Sequence, residues 1–190
     1  MITRLSLSNF RSLGPDVVLD LGRLNFLVGV NGSGKSNVLH ALSFVREAVR
    51  AGLPRSVTSS GGIVALRRHS AGRPHDIRIE LDLALPDGTG SYGFELAGDR
   101  IEEYKVKEEW ARVDGAQGRV AFRQSRGRWE GPENLRPNLG PQSLAITALG
   151  GDPRVRPLWE HLAGMMVYSI YPDMLREPQK FIPEMPMRRR

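Results

Sequence analysis

Polar and apolar residues alternate at the start of the chain. Leu5 and Leu7 stand between Arg4, Ser6 and Ser8, the period-two pattern of a half-exposed strand. Gly14-Pro15 marks a turn, and Val17, Val18, Leu19 and Leu21 predict a second strand. Gly22-Arg23 turns again into Leu24-Asn25-Phe26-Leu27-Val28, an apolar run that predicts a buried central strand. The period then changes. Val38, Leu39, Leu42, Val45 and Val49 fall at helical spacing and predict a helix from about Lys35 to Arg50, stopped by Gly52 and Pro54. Residues 55–62 (RSVTSSGG) read as a loop.

From Ile77 the period returns to two. IRIELDLAL, the turn PDGTG and SYGFEL predict a hairpin. IEEYKVKEEWARV, a turn at Asp114-Gly115, RVAFRQ and RGRWE extend it into an antiparallel meander as far as Glu130. Residues 131–141 are rich in Pro, Gly and Asn and read as a linker. Beyond Gln142, Asp152 is placed to cap a helix that has Pro153 at its first position. Val155, Leu158, Trp159 and Leu162 make the stripe that such a helix would bury. MMVYSI predicts a further strand, and the Pro-punctuated remainder shows no clear stop. Three segments result: 1–54, with the first strands and the helix; 55–141, the antiparallel β subdomain and linker; and 142–190, a helical and strand segment.

Composition narrows the function classes. The chain has 27 basic and 21 acidic residues, a net charge of +6, and 23 of the basic residues are Arg. A basic balance favours polyanionic partners, nucleotides or nucleic acid. With no cysteine, disulfide frameworks and thiolate metal sites are excluded. No apolar stretch approaches the roughly 20 residues of a membrane span, and MITRLSLSNF lacks the apolar core of a signal peptide. A cytoplasmic protein without membrane partners is expected.

One motif carries chemistry. Gly29-Val30-Asn31-Gly32-Ser33-Gly34-Lys35-Ser36 matches G-x-x-x-x-G-K-[ST], between an apolar run and an amphipathic helix. In such a loop successive backbone N–H groups wrap a triphosphate, and glycines permit the positive φ angles and close approach this requires. The helix N-terminus behind the loop favours anions. Lys35 is placed to reach the β and γ phosphates, and Ser36 to offer its hydroxyl to Mg²⁺.

SNFRSLG (8–14) followed by LNFLVGVNGSGKSNVLHAL (24–42) resembles the N-terminal lobe of RecF/SMC-like ABC-type ATPases, within them the AAA family ATPases related to the ATPase domain of OLD nucleases. YPDMLREPQ (171–179) is similar to the same group. The resemblance implies an α/β P-loop NTPase of ABC-ATPase lobe type with an antiparallel β subdomain, binding ATP and Mg²⁺. It assigns the phosphate cradle to Asn31, Gly32, Ser33, Gly34, Lys35, Ser36 and Asn37, and puts Arg11 on the phosphate and ribose side. A glutamine that follows the β subdomain helps hold Mg²⁺ in this family, and Gln142 is the nearest candidate. Family members form homodimers that sandwich ATP head to tail, and some engage DNA.

The family's signature motif, Walker B aspartate and catalytic glutamate are not visible in the sequence. The chain is therefore expected to be an N-terminal half whose hydrolysis needs a C-terminal half and dimerisation. Asp87 in LDLALPDGTG mimics a Walker B aspartate, but the alternation of Leu81, Leu83 and Leu85 with Asp82 and Ala84 predicts a hairpin turn instead. His40, His69, His75 and His161 show no paired ligand spacing. Glu102-Glu103 and Glu108-Glu109 sit on strands whose neighbours face opposite sides, which argues against paired carboxylates. Arg119, Arg123, Arg126 and Arg128, with Phe122 and Trp129, are a candidate basic hairpin for nucleic-acid phosphates or a solvated strand face. A self-contained small P-loop GTPase or kinase and a nucleotide-switched nucleic-acid-binding module are the alternatives, although the N-K-x-D base motif of a GTPase is absent.

Overall fold

The computed structural model describes residues 1–70, 75–98 and 103–168. Its frame is a seven-stranded sheet in which every neighbouring pair is antiparallel. The strands are β1 (Ile2–Ser8), β2 (Val17–Asp20), β3 (Ile77–Leu85), β4 (Gly88–Gly98), β5 (Tyr104–Gly115), β6 (Gly118–Ser125) and β7 (Arg128–Glu130). Their order is β2-β1-β3-β4-β5-β6-β7, so the N-terminal hairpin adds to the edge of the later meander through the β1–β3 pair.

Alternation sets the two faces of this sheet. Every second residue of β3, from Ile77 to Leu85, is buried, and the residues between them are half-exposed. The buried face receives α1 (Lys35–Ala51), whose Val38, Ala41, Phe44, Val45, Ala48 and Val49 form its inward stripe. Aromatic rings join the two layers: Phe44 lies 6.0 Å from Phe10 at the end of β1 and 6.2 Å from Phe94 on β4, ring centre to ring centre. Both spacings lie within the range of favourable tilted pairs.

Four shorter helices complete that layer: α2 (Leu53–Ser59), α3 (Ile63–Leu66), α4 (Ala145–Leu149) and α5 (Arg156–Ala163). The α2 helix replaces the loop expected over 55–62. Gly52 and Pro54 do end α1, but a proline in the first turn also suits the start of a new helix. Buried Leu53 and Val57 and the Ser56 hydroxyl, which donates to the Phe44 carbonyl at 3.0 Å, then dock that helix on α1.

Three further differences bear on the site. The α5 helix starts at Arg156 rather than Pro153, because Asp152 caps a preceding turn: its carboxylate accepts from the Arg154 backbone N–H at 2.9 Å and pairs with the Arg154 side chain. Met165–Tyr168 carry no regular structure, and the rest of the MMVYSI strand and YPDMLREPQ lie outside the described residues. Leu24–Val28 form no strand. Phe26 is 80% and Val28 92% exposed, and the run makes no backbone hydrogen bond among the described residues. An extended segment becomes a strand only when a neighbour pairs its N–H and C=O groups, and no described strand lies alongside it.

Candidate functional site: the glycine loop at the start of helix α1

The loop that precedes α1 is shaped by two left-handed glycines, Gly32 at φ 83° and Gly34 at φ 93°. Gly34 is also the N-cap of α1, so the helix has no side-chain cap, and its first turn contains no acidic residue. Asn37 and Val38 donate their backbone N–H groups to the Gly34 carbonyl at 2.9 and 3.3 Å. The helix therefore begins as an uncompensated positive dipole end, the geometry that suits a bound anion.

Lys35 folds back into this loop. Its Nζ donates to the Gly29 and Val30 carbonyls, both at 2.7 Å, and to Ser33 Oγ at 3.3 Å. Those three bonds use all three ammonium donors and draw the loop around the charge. Ser33 donates its backbone N–H to the Val30 carbonyl at 3.2 Å, and a Cβ on Gly29 would stand 3.0 Å from Ser33 Oγ. The loop is closed, compact and cationic at its centre.

The turn after β1 meets the loop from the side. Leu13 is buried and approaches Gly34 so closely that a Cβ there would stand 2.7 Å from Leu13 Cδ2. Asn37 Nδ2 donates to Ser12 Oγ at 2.7 Å. Arg11 adopts φ 52°, donates its backbone N–H to the Leu66 carbonyl at 2.7 Å, and leaves its buried Nε without a hydrogen-bond partner. His40, one turn beyond Ser36, has its pKa lowered by burial and by the nearby Arg11 charge. The structure thus sets Ser12 and Leu13 against the 31–37 segment, with the Arg11 charge near His40. Gln142 is anchored elsewhere, on β5, where its Nε2 donates to the Tyr104 carbonyl at 3.2 Å.

The remaining candidates settle into the sheet. Asp87 sits in the two-residue turn between β3 and β4, where Leu85 pairs with Gly88. Glu108 and Glu109 face opposite sides: Glu108 pairs with Arg123, and Glu109 is fully buried. Arg119 pairs with Asp114 at 2.5 Å, so two of the four hairpin arginines are neutralised on the neighbouring strand. Among the described residues no group of three or more His, Asp or Glu is arranged to hold a metal ion, and no helix is long and apolar enough to cross a membrane.

Two sets of residues escaped the sequence reading. Ser12 and Leu13 touch the loop only through the fold, and nothing in their local pattern marks them. Glu109 left a trace: it stands at an inward position of β5, where the alternation calls for an apolar residue.

The family model that matches this chain, over residues 24–148, is described as an AAA domain, putative AbiEii toxin, type IV toxin–antitoxin system. The chain belongs to this AAA-domain family. The matched span takes in the glycine loop, α1 and the whole meander, and the AAA domain is a nucleotide-binding ATPase lobe with a mixed α/β fold. Among solved structures, one similar to it comes from work on the structural biochemistry of ATP-driven dimerization and DNA-stimulated activation of SMC ATPases. Identity there is 24%, with 68% of this chain and 71% of that chain covered, at a TM-score of 0.37. No curated protein matches the AAA domain described here.

Proposed function

We propose that this AAA domain binds Mg-ATP in the Gly29–Ser36 loop, as the nucleotide-binding lobe of a RecF/SMC-like ATPase of the OLD-related group. The observation that carries the reading is the Lys35 ammonium held inside a glycine-shaped loop, at a helix N-terminus with no side-chain cap and no acid in its first turn. Backbone N–H groups, dipole and ammonium all favour an anion at this point. In this reading, β and γ phosphate oxygens replace the Gly29 and Val30 carbonyls as partners of Lys35. Residues Asn31 to Asn37 line the phosphates, and Arg11 turns its unpartnered Nε toward the phosphate and ribose side. Ser36 offers a hydroxyl to Mg²⁺, which would neutralise charge on the β and γ phosphates. Gln142 joins that shell only by leaving the Tyr104 carbonyl.

Hydrolysis, in the same reading, needs a C-terminal half and a second copy of the chain. The exposed run Leu24–Val28 supports this. Five residues with unpaired backbone and exposed Phe26 and Val28 are, in this reading, a segment that further strands would pair and cover. Binding of DNA is a property for the assembled protein, since Arg119 and Arg123 are already paired with carboxylates here.

Calorimetric titration with ATP, with and without Mg²⁺, tests the binding step. Lys35→Ala should abolish detectable binding while the circular dichroism spectrum stays unchanged. Wild-type-like affinity in that variant would refute the reading.

A further inference from the structure

The turn between β1 and β2 supplies no phosphate ligand through Ser12 or Leu13 in the reading above, yet it holds the loop at two points. Buried Leu13 seats on Gly34, and Ser12 Oγ accepts the Asn37 side-chain amide at 2.7 Å. The turn itself is fixed. Asn9 and Arg11 are both left-handed, at φ 58° and 52°, and non-glycine residues stay in that region only where their surroundings over-determine them. Four backbone bonds do so: Asn9 to Gly14 at 3.0 Å, Leu13 to Phe10 at 2.9 Å, Arg11 to Leu66 at 2.7 Å and Arg68 to Asn9 at 2.8 Å, naming each donor first.

We infer that Ser12 is a positioning residue for the nucleotide site, acting through the Asn37 side chain. The inference rests on the nucleotide-binding reading of the loop. Asn37 is the third residue of α1, from which an amide oxygen can bend back onto the free N–H groups of the first turn. Such a self-made cap would compete with phosphate for the donors on which the site depends. With Nδ2 held by Ser12 Oγ, the Asn37 amide makes no cap bond to the first turn, and the helix N-terminus stays open.

The full chain is titrated with Mg-ATP as wild type, Ser12→Ala, Ser12→Thr, Asn37→Ala, the Ser12→Ala/Asn37→Ala double variant and Lys35→Ala. Ser12→Ala should weaken ATP binding about three- to tenfold, the range of a single hydrogen bond, with an unchanged melting temperature. Ser12→Thr, which keeps the hydroxyl, should restore wild-type affinity. In the Asn37→Ala background, Ser12→Ala should cost nothing further, because the side chain it restrains is gone. Wild-type affinity in Ser12→Ala, or an equal loss with and without Asn37, overturns the inference while leaving the nucleotide site intact. Equal binding by wild type and Lys35→Ala overturns the nucleotide reading itself.

Discussion

The Glu109 carboxylate, on an inward position of β5, caps the first turn of α4 by accepting the backbone N–H of Ile146 at 3.0 Å on one oxygen. Its other oxygen accepts the Ala145 N–H at 2.5 Å, and Tyr92 OH donates at 3.2 Å to the oxygen that holds Ile146. These bonds join the middle of the sheet to the helical segment that packs on α1. They also confine an acid to a fully buried position.

Burial pushes the Glu109 carboxyl up to about 7, against the Ala145, Ile146 and Tyr92 hydrogen bonds that favour its ionised form. Tyr92 is itself pushed well above its ordinary value by burial and by Glu109, so it stays a donor throughout. The folded state therefore holds a proton that the unfolded chain releases near the ordinary 4.5. Stability from this group is complete below about pH 4.5 and is lost as pH rises through about 7, on the order of 3 kcal/mol in all. Denaturant unfolding of wild type and Glu109→Gln at pH 5, 6, 7 and 8 reads this out. Wild type should lose stability relative to the variant across the series. Parallel curves would show that Glu109 does not titrate in that window.

Gly34 and Gly32 separate two reasons for a glycine in the loop. Both have positive φ, which disfavours alanine by about 1 kcal/mol. A Cβ at Gly32 meets nothing within 4 Å, whereas one at Gly34 runs into Leu13. Gly34→Ala should therefore lower the melting temperature more than Gly32→Ala, with the extra cost in the range of about 1–3 kcal/mol typical of overpacking. Equal melting temperatures would mean that Leu13 yields without penalty.

Much of the architecture was legible because its pattern is local. The stripe of α1 and the alternation of β3 repeat their period often enough to identify the element and its buried face. The α2 helix was not legible, since RSVTSSGG has a loop's composition and its helix is made by docking Leu53, Ser56 and Val57 on α1. In Leu24–Val28 the apolar pattern predicts a buried central strand, but the run is exposed and unpaired, because burial depends on neighbours that the described residues do not supply. The site divides in the same way. The loop from Gly29 to Ser36 is a contiguous motif, whereas the bond from the Asn37 amide to Ser12 Oγ spans 25 positions and leaves no mark on either segment.

Asp87 provides a sharp test of turn against catalytic acid. It stands in the β3–β4 hairpin turn, and a surface change there should cost under about 0.5 kcal/mol. Asp87→Asn should leave Mg²⁺-dependent ATP affinity within about twofold of wild type. Gly88→Ala, one residue on, should behave quite differently, because a Cβ there would stand 2.0 Å from the Asp114 carbonyl oxygen and must force the hairpin apart. Thermal melting and ATP titration of the two variants check the contrast. A tenfold loss of binding in Asp87→Asn would show that this acid serves the nucleotide.

The 190-residue chain should bind ATP and scarcely hydrolyse it. Binding needs the cradle, and residues 29–37 supply glycines, backbone donors and the Lys35 charge. Turnover needs two more things: a carboxylate that orients the attacking water, and added positive charge where the γ phosphate departs. Glu109, the one buried carboxylate among the described residues, is committed to capping α4, and the first turn of α1 contains no acid. Contributions of this kind are each worth on the order of 10³-fold in rate, so a site without both is expected to hydrolyse near background. Phosphate release from Mg-ATP, followed over hours, measures it, and Lys35→Ala reports any contaminating ATPase. If turnover reached the order of 1 s⁻¹ expected of a working enzyme and vanished in Lys35→Ala, the catalytic carboxylate would lie within these 190 residues. The AAA domain would then be a self-contained enzyme, and the exposed Leu24–Val28 run would need an explanation other than a C-terminal half.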